Sequence, residues 1–186
     1  MIHLFNSASL PVSRWRNGGG ETREIVSYPP GESEFQWRVS IATIATDGDF
    51  SAFPGVDRII TLLDGEVDLY RDKQLSQRLS VNQPYSFRGE EPIHARLPAG
   101  VSHDFNIMAR RGSHVPDAAT TTAAFSPPVE AGGVVMVLNG QWQHGQTLLT
   151  AGQGAWWENQ GGRFVPLSND ALLLWGTLLP RFNHGL

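Results

Sequence analysis

The chain has 186 residues, 40% of them hydrophobic and 17% charged, with a formal net charge of -4. That is enough apolar material for one domain with a substantial core, and the charge is too balanced for nucleic acid to be an expected partner. The absence of cysteine excludes a disulfide framework, thiolate chemistry and a zinc–thiolate site.

From the N-terminus, residues 1–15 lack the basic start and long apolar run of a secretion signal. The segments that follow are short and rich in β-branched and aromatic residues. Gly, Pro, Asn or Asp interrupts them every eight to twelve residues, which is the rhythm of an all-β sandwich or barrel. Strands are predicted at 23–28, 36–44, 58–63, 66–70, 85–87, 93–97 and 104–109. Residues 112–130 are small, polar and Pro-rich, and read as a connection with a short strand around 120–125. Further strands are predicted at 134–139, 142–145, 155–158, 164–166 and 171–179. The last is the longest apolar run, and it is far short of the roughly 20 residues that span a bilayer. No membrane partner is expected, and a cytoplasmic location follows.

The two parts echo each other. Each has an apolar strand ending at Leu-(Asp/Asn)-Gly, namely Leu63-Asp64-Gly65 and Leu138-Asn139-Gly140, and each then has a Leu and a Gln four residues apart. Asp-Gly and Asn-Gly favour hairpins because both turn positions tolerate positive φ. The organisation expected is one domain made of two related halves, 1–111 and 131–186, joined by 112–130.

Three stretches are unlike ordinary strand sequence. In Trp15-Arg16-Asn17-Gly18-Gly19-Gly20 the consecutive glycines suggest close backbone approach to a ligand, with free N–H groups able to cradle an anion; a tight loop at a strand start is the alternative. The second runs from Phe35-Gln36-Trp37-Arg38-Val39-Ser40 to Phe50-Ser51-Ala52-Phe53-Pro54-Gly55-Val56-Asp57-Arg58. Its Arg38 and Arg58 could clamp a carboxylate, unless Asp57 and another acid neutralise them as structural ion pairs. In the third, Asp104-Phe105-Asn106-Ile107-Met108-Ala109-Arg110, a strand puts Asp104, Asn106 and Met108 on one face; polar residues of an edge strand facing water are the alternative.

The blocks WRNGGGETREI, FQWRVSIATIA, GDFSAFPGVDRIITLLDG and DFNIMAR resemble the HutD/Ves family, in family order, and GGVVMVLNGQW and LLTAGQGAWW resemble its Ves branch. The resemblance implies a cupin-type β-barrel of two cupin halves, a compact bicupin. HutD members are associated with histidine utilisation, as non-enzymatic governors sensing an intermediate such as a formylated glutamate. Ves members are associated with stress response. It also implies that Trp15, Asn17, Gly18, Gly19, Gly20, Arg38, Ser40, Phe53, Arg58, His103, Asp104 and Asn106 form one pocket at a barrel mouth, for a small carboxylate.

A metal-binding cupin carries two His and a Glu before the Gly turn and a further His after Pro-x-Gly. With the turn at Gly65, those first positions fall near Ala52, Pro54 and Arg58, none of which binds a metal ion. Only Pro98-Ala99-Gly100-Val101-Ser102-His103 keeps the spacing, and one ligand does not hold a catalytic ion. Neither metal nor cofactor is expected. Two other readings stay open. One is a metal-independent isomerase or lyase using His103, Asp104 or Glu24 as acid or base. The other is an interaction module anchored by Trp142, Trp156 and Trp157. A homodimer is left open as well.

Overall fold

Trp37, Val39 and Ile41 alternate with Arg38, Ser40 and Ala42, and a pleated backbone sends these two sets to opposite faces. All six are buried except Arg38, which is half-buried. The computed structural model describes residues 1–182, so His184 lies outside the described residues. Among those residues the regular elements are strands, apart from one 3-10 turn at Ser7–Ser9.

The strands are β1 (Ile2–Asn6), β2 (Val12–Arg14), β3 (Gly20–Tyr28), β4 (Trp37–Ile44), β5 (Gly48–Asp49), β6 (Val56–Asp64), β7 (Asp68–Arg71), β8 (Gln74–Arg78), β9 (Pro84–Arg88), β10 (His94–Arg96) and β11 (Ser102–Arg110). They continue with β12 (His114–Thr121), β13 (Gly132–Asn139), β14 (Gln141–His144), β15 (Thr147–Thr150), β16 (Gln153–Trp157), β17 (Val165–Pro166) and β18 (Leu172–Pro180). They fall into two compact units: Pro11–Arg111, and Met1–Leu10 together with the chain from Gly112 onward.

The Pro11–Arg111 unit has a six-stranded sheet, β2-β3-β4-β11-β6-β9, and a four-stranded sheet, β5-β10-β7-β8. The other unit has a five-stranded sheet, β1-β16-β13-β18-β12, and a three-stranded sheet, β15-β14-β17. Much of their pairing matches. The run β4-β11-β6-β9 corresponds to β12-β18-β13-β16, and β10-β7-β8 corresponds to β17-β14-β15. The turn glycines Gly65 and Gly140 sit at the same point of this plan, with φ of 83° and 76°.

This plan changes the boundaries expected from sequence. The segment 112–130 is not a mere connection, because β12 pairs with β18 from His114↔Pro180 to Thr121↔Leu173, as the counterpart of β4. Of the short strand expected around 120–125, Thr120 and Thr121 belong to β12, and Phe125 forms an isolated bridge with Phe164. Residues 1–10 leave the first half, since β1 pairs with β16. Trp142 and Trp157 are fully buried, so they are core and not surface anchors. Trp156 faces the other side of β16, as strand alternation requires, and stacks on His3 with ring centroids 4.0 Å apart.

The corresponding strands carry different cores. In the first unit Ile60, Leu62, Val67, Leu69, Phe87 and Ile93 pack together. In the second, Val135, Val137, Trp142, Trp157, Phe164 and Leu173 do so, with Phe125 and Trp175 against them. Arg58 stands between Met108 and Phe87 in its sheet, and Gly133 stands between Thr177 and Trp157 in the matching place. The Trp157 ring lies over Gly133. A Cβ there would come within 2.3 Å of Trp157 Cζ2 and 2.8 Å of the Gly176 carbonyl oxygen. Gly133→Ala is expected to lower unfolding free energy by about 1–3 kcal/mol through overpacking. Urea denaturation measures this, and an unchanged midpoint would remove the close-approach explanation.

Candidate functional site

In the six-stranded sheet the inward residues are set by pairing. Arg58 lies beside Met108, which lies beside Arg38, and Asn106 lies beside Ser40. Asp104 lies beside Ala42, which pairs with Thr22 on β3. One hydrophobic cluster of this unit draws its sheet residues from β6, β9, β7 and β10. The inward residues of β3, β4 and β11 instead line a cavity of about 460 Å³, within the usual range for small-molecule sites.

Eight of the twelve residues expected to form a pocket line this cavity: Trp15, Asn17, Arg38, Ser40, Phe53, Arg58, Asp104 and Asn106. Arg14, Arg16, Thr22, Ala42, Ile44, Asp49, Phe50, Ser51 and Met108 complete the lining. Sequence parity could have added Thr22, Ala42, Ile44 and Met108, which alternate with residues on the other face. Nothing comparable marks Arg14, Arg16 or Asp49–Ser51, which lie on the short strands β2 and β5 or in the loops after them.

Gly18, Gly19, Gly20 and His103 do not line the cavity. The Gly18 and Gly19 amides are not free for an anion: Gly18 N donates to Trp15 O at 3.0 Å, and Gly19 N donates to Asn17 Oδ1 at 2.8 Å. Gly18 has φ of 73°, which only glycine adopts without strain. At Gly20 a Cβ would meet Thr43 O at 2.3 Å and the Trp15 ring at 3.0 Å. The glycines therefore let Trp15 lie against the sheet, where its Nε1 donates to Thr22 Oγ1 at 2.8 Å. His103 follows the opposite parity from Asp104 along β11, and its ring nitrogen Nδ1 pairs with Asp64 Oδ1 at 2.8 Å.

The two arginines differ. Arg38 Nε donates to Glu24 Oε1 at 3.0 Å. Arg58 is 7% exposed and has no carboxylate partner among the described ion pairs; Asp57 pairs with Arg111 instead, at 2.9 Å. Its guanidinium lies over Phe87, Phe53 and Phe50, at 4.8, 5.3 and 5.6 Å from the ring centroids, a favourable setting for a desolvated cation. Arg58 Nη2 donates to Asn106 Oδ1 at 3.3 Å, and Asn106 Nδ2 donates to Asp104 Oδ1. Arg58 Nε and Asp104 Oδ2 are buried without partners.

Burial pushes the Asp104 carboxyl up to about 7, against the Asn106 hydrogen bond and the Arg58 and His103 charges that favour its ionised form. Burial also lowers Arg58 to about 10, which still leaves it charged at neutral pH. Among the described residues no three His, Asp or Glu gather into a set that could hold a metal ion. No helix among them is long and apolar enough to cross a membrane.

A family model described as HutD matches residues 7–175. Protein Ves of Citrobacter koseri is 46% identical over 185 residues, covering 97% of this chain and 97% of its own length. Protein Ves of Cronobacter sakazakii is 45% identical over 159 residues, covering 84% and 87%. Among solved structures, HutD from Pseudomonas fluorescens SBW25 has 25% sequence identity and a TM-score of 0.84, covering 98% of this chain and 100% of that one. Protein Ylba of E. coli, of the DUF861 family, shares the fold at 9% identity, with a TM-score of 0.73 over 99% and 93% of the two chains.

The Asp104 position gives a stability signature. An unfolded Asp titrates near ~3.9, so between there and about 7 the folded chain binds more protons than the unfolded one. Stability present below that window is lost as pH rises through it, at ~1.4 kcal/mol for each pH unit. Asp104→Asn keeps an oxygen for Asn106 Nδ2 and cannot titrate. In urea denaturation followed against pH it should lose most of this decline, and an unchanged slope would assign the decline to other groups.

Proposed function

The chain belongs to the HutD family, with the all-β, cupin-like fold of two related halves that its signature blocks imply, and on that premise we propose that it is a non-enzymatic binding protein for a small carboxylate. The observation that carries this reading is the Arg58 guanidinium, buried at the cavity without a carboxylate of its own. Four arginines and two aspartates line the cavity, so it favours an anion. Arg38 and Arg58 supply donors in fork geometry, which suits carboxylate oxygens. Trp15, Phe50 and Phe53 supply apolar wall for a short carbon chain. An N-acyl amino acid such as formylglutamate matches this chemistry through its carboxylates and its amide. A sensing role, in histidine utilisation or stress response and in the cytoplasm, is part of the same proposal.

A second reading, a metal-independent enzyme, is favoured by the near-neutral titration of Asp104 in the cavity. Of its candidate groups only Asp104 lines the cavity; His103 is held by Asp64, and Glu24 by Arg38. Conversion of a bound acid, followed by NMR, would replace the sensor reading with this one.

Calorimetry and thermal shift with formylglutamate, formiminoglutamate, urocanate and glutamate test the proposal. At least one should bind at millimolar concentration or below and raise the melting temperature. Arg58→Met should weaken that binding about tenfold or more, since a charged hydrogen bond is worth ~1.5–3 kcal/mol. If none binds, the carboxylate assignment is wrong.

A further inference from the structure

We propose that the cavity of the Pro11–Arg111 unit takes up its carboxylate ligand together with one proton, held on Asp104 Oδ2 and donated to a ligand oxygen. This inference rests on the carboxylate reading above and specifies how the site admits the negative charge.

Donor capacity decides where such a proton can sit. Arginine has donors only, so the Asn106 atom facing Arg58 Nη2 must be its carbonyl oxygen. The Asn106 amide nitrogen then faces Asp104 Oδ1, which must accept. A proton on Asp104 is therefore confined to Oδ2. That oxygen is buried, has no partner, and belongs to a cavity-lining side chain. The chain Arg58–Asn106–Asp104 thus fixes one atom as the place for the proton and leaves it nothing among the described residues to bond.

The surrounding charges act in both directions. Arg58 from β6 lines the same cavity and favours ionised Asp104, and Arg38 from β4, with Arg14 and Arg16 from β2 and the loop after it, adds positive charge to the lining. Asp49 from β5 opposes them. Arg38 is already matched by Glu24 from β3, and His103 lies along β11 with its own Asp64. Burial of Asp104 outweighs these attractions in the free protein. A ligand carboxylate beside it adds a negative charge next to a buried carboxyl, and two adjacent carboxylates in such a place do not both stay ionised. The proton comes from solvent when Asp104 starts ionised. The product is a ligand carboxylate bonded to the Asp104 acid on one side and to arginine on the other, with no covalent change.

Proton uptake is read by calorimetry of the full chain with N-formyl-L-glutamate in two buffers of different ionisation enthalpy. The probe's own carboxylates stay ionised above about pH 5. The expected result is uptake of about one proton per ligand near pH 8.5 and about none near pH 5.5, with Kd rising about tenfold per pH unit above the Asp104 titration and flat below it. Asp104→Asn, which offers an amide donor at the same place, should bind with a Kd independent of pH. Binding without proton uptake overturns this inference and leaves the carboxylate reading standing. A variant that keeps the wild-type pH dependence overturns the assignment to Asp104. If neither this probe nor the other carboxylates bind at any pH, both readings are overturned together.

Discussion

Arg58 carries a full charge into the interior of its unit, and the arrangement around it follows from the cost of desolvating that charge. An isolated guanidinium there would be strongly unfavourable. Three phenylalanine faces and the Asn106 carbonyl stabilise it without cancelling it. Asn106 is in turn oriented by Asp104, whose second oxygen has no bond. The polar chain therefore ends in two unsatisfied groups, Arg58 Nε and Asp104 Oδ2. Buried polar groups are normally paired, and a chain left incomplete at both ends is the condition in which a ligand is most strongly rewarded.

The second unit is an internal control for this interpretation, because it builds the same strand plan without the charge. Where one sheet places Arg58, Asn106 and Asp104, pairing in the other places Gly133, Trp175 and Leu173. Where Phe87 lies beside the guanidinium, Trp157 lies over the bare glycine backbone. The strand plan does not require a polar interior. In one unit large rings supply the packing, and in the other the inward residues of three strands are left facing a cavity.

Sequence patterns exposed the elements with buried faces. The strands β4, β6, β11, β13 and β18 all have strong apolar alternation or runs, and the two Leu-(Asp/Asn)-Gly turns marked the relation between the two halves. Several of the strands left unrecognised had no such pattern. β8 is exposed along its whole length, so no apolar face marks it, and the two residues of β5 are too few to show a period. β12 carries Pro116 among small polar residues. The resemblance brought the strand-borne residues Arg38, Ser40, Arg58, Asp104 and Asn106 together, and parity adds only that Arg38 shares a face with Ser40 and Asp104 with Asn106. The glycine run and His103 misled for a local reason. Three glycines signal that something comes close, but here it is the Trp15 ring, and the parity that turns Asp104 inward turns His103 away.

The same Pro116 that hid β12 from the sequence pattern also bears on solubility. β12 is the last strand of its sheet, and a terminal strand offers a row of backbone donors and acceptors that can template pairing with another chain. Proline interrupts that row by removing one N–H, and the acidic Asp117 beside it adds a charge that discourages stacking. A residue that looks like a flaw in the strand thus acts as a gatekeeper against edge-to-edge aggregation.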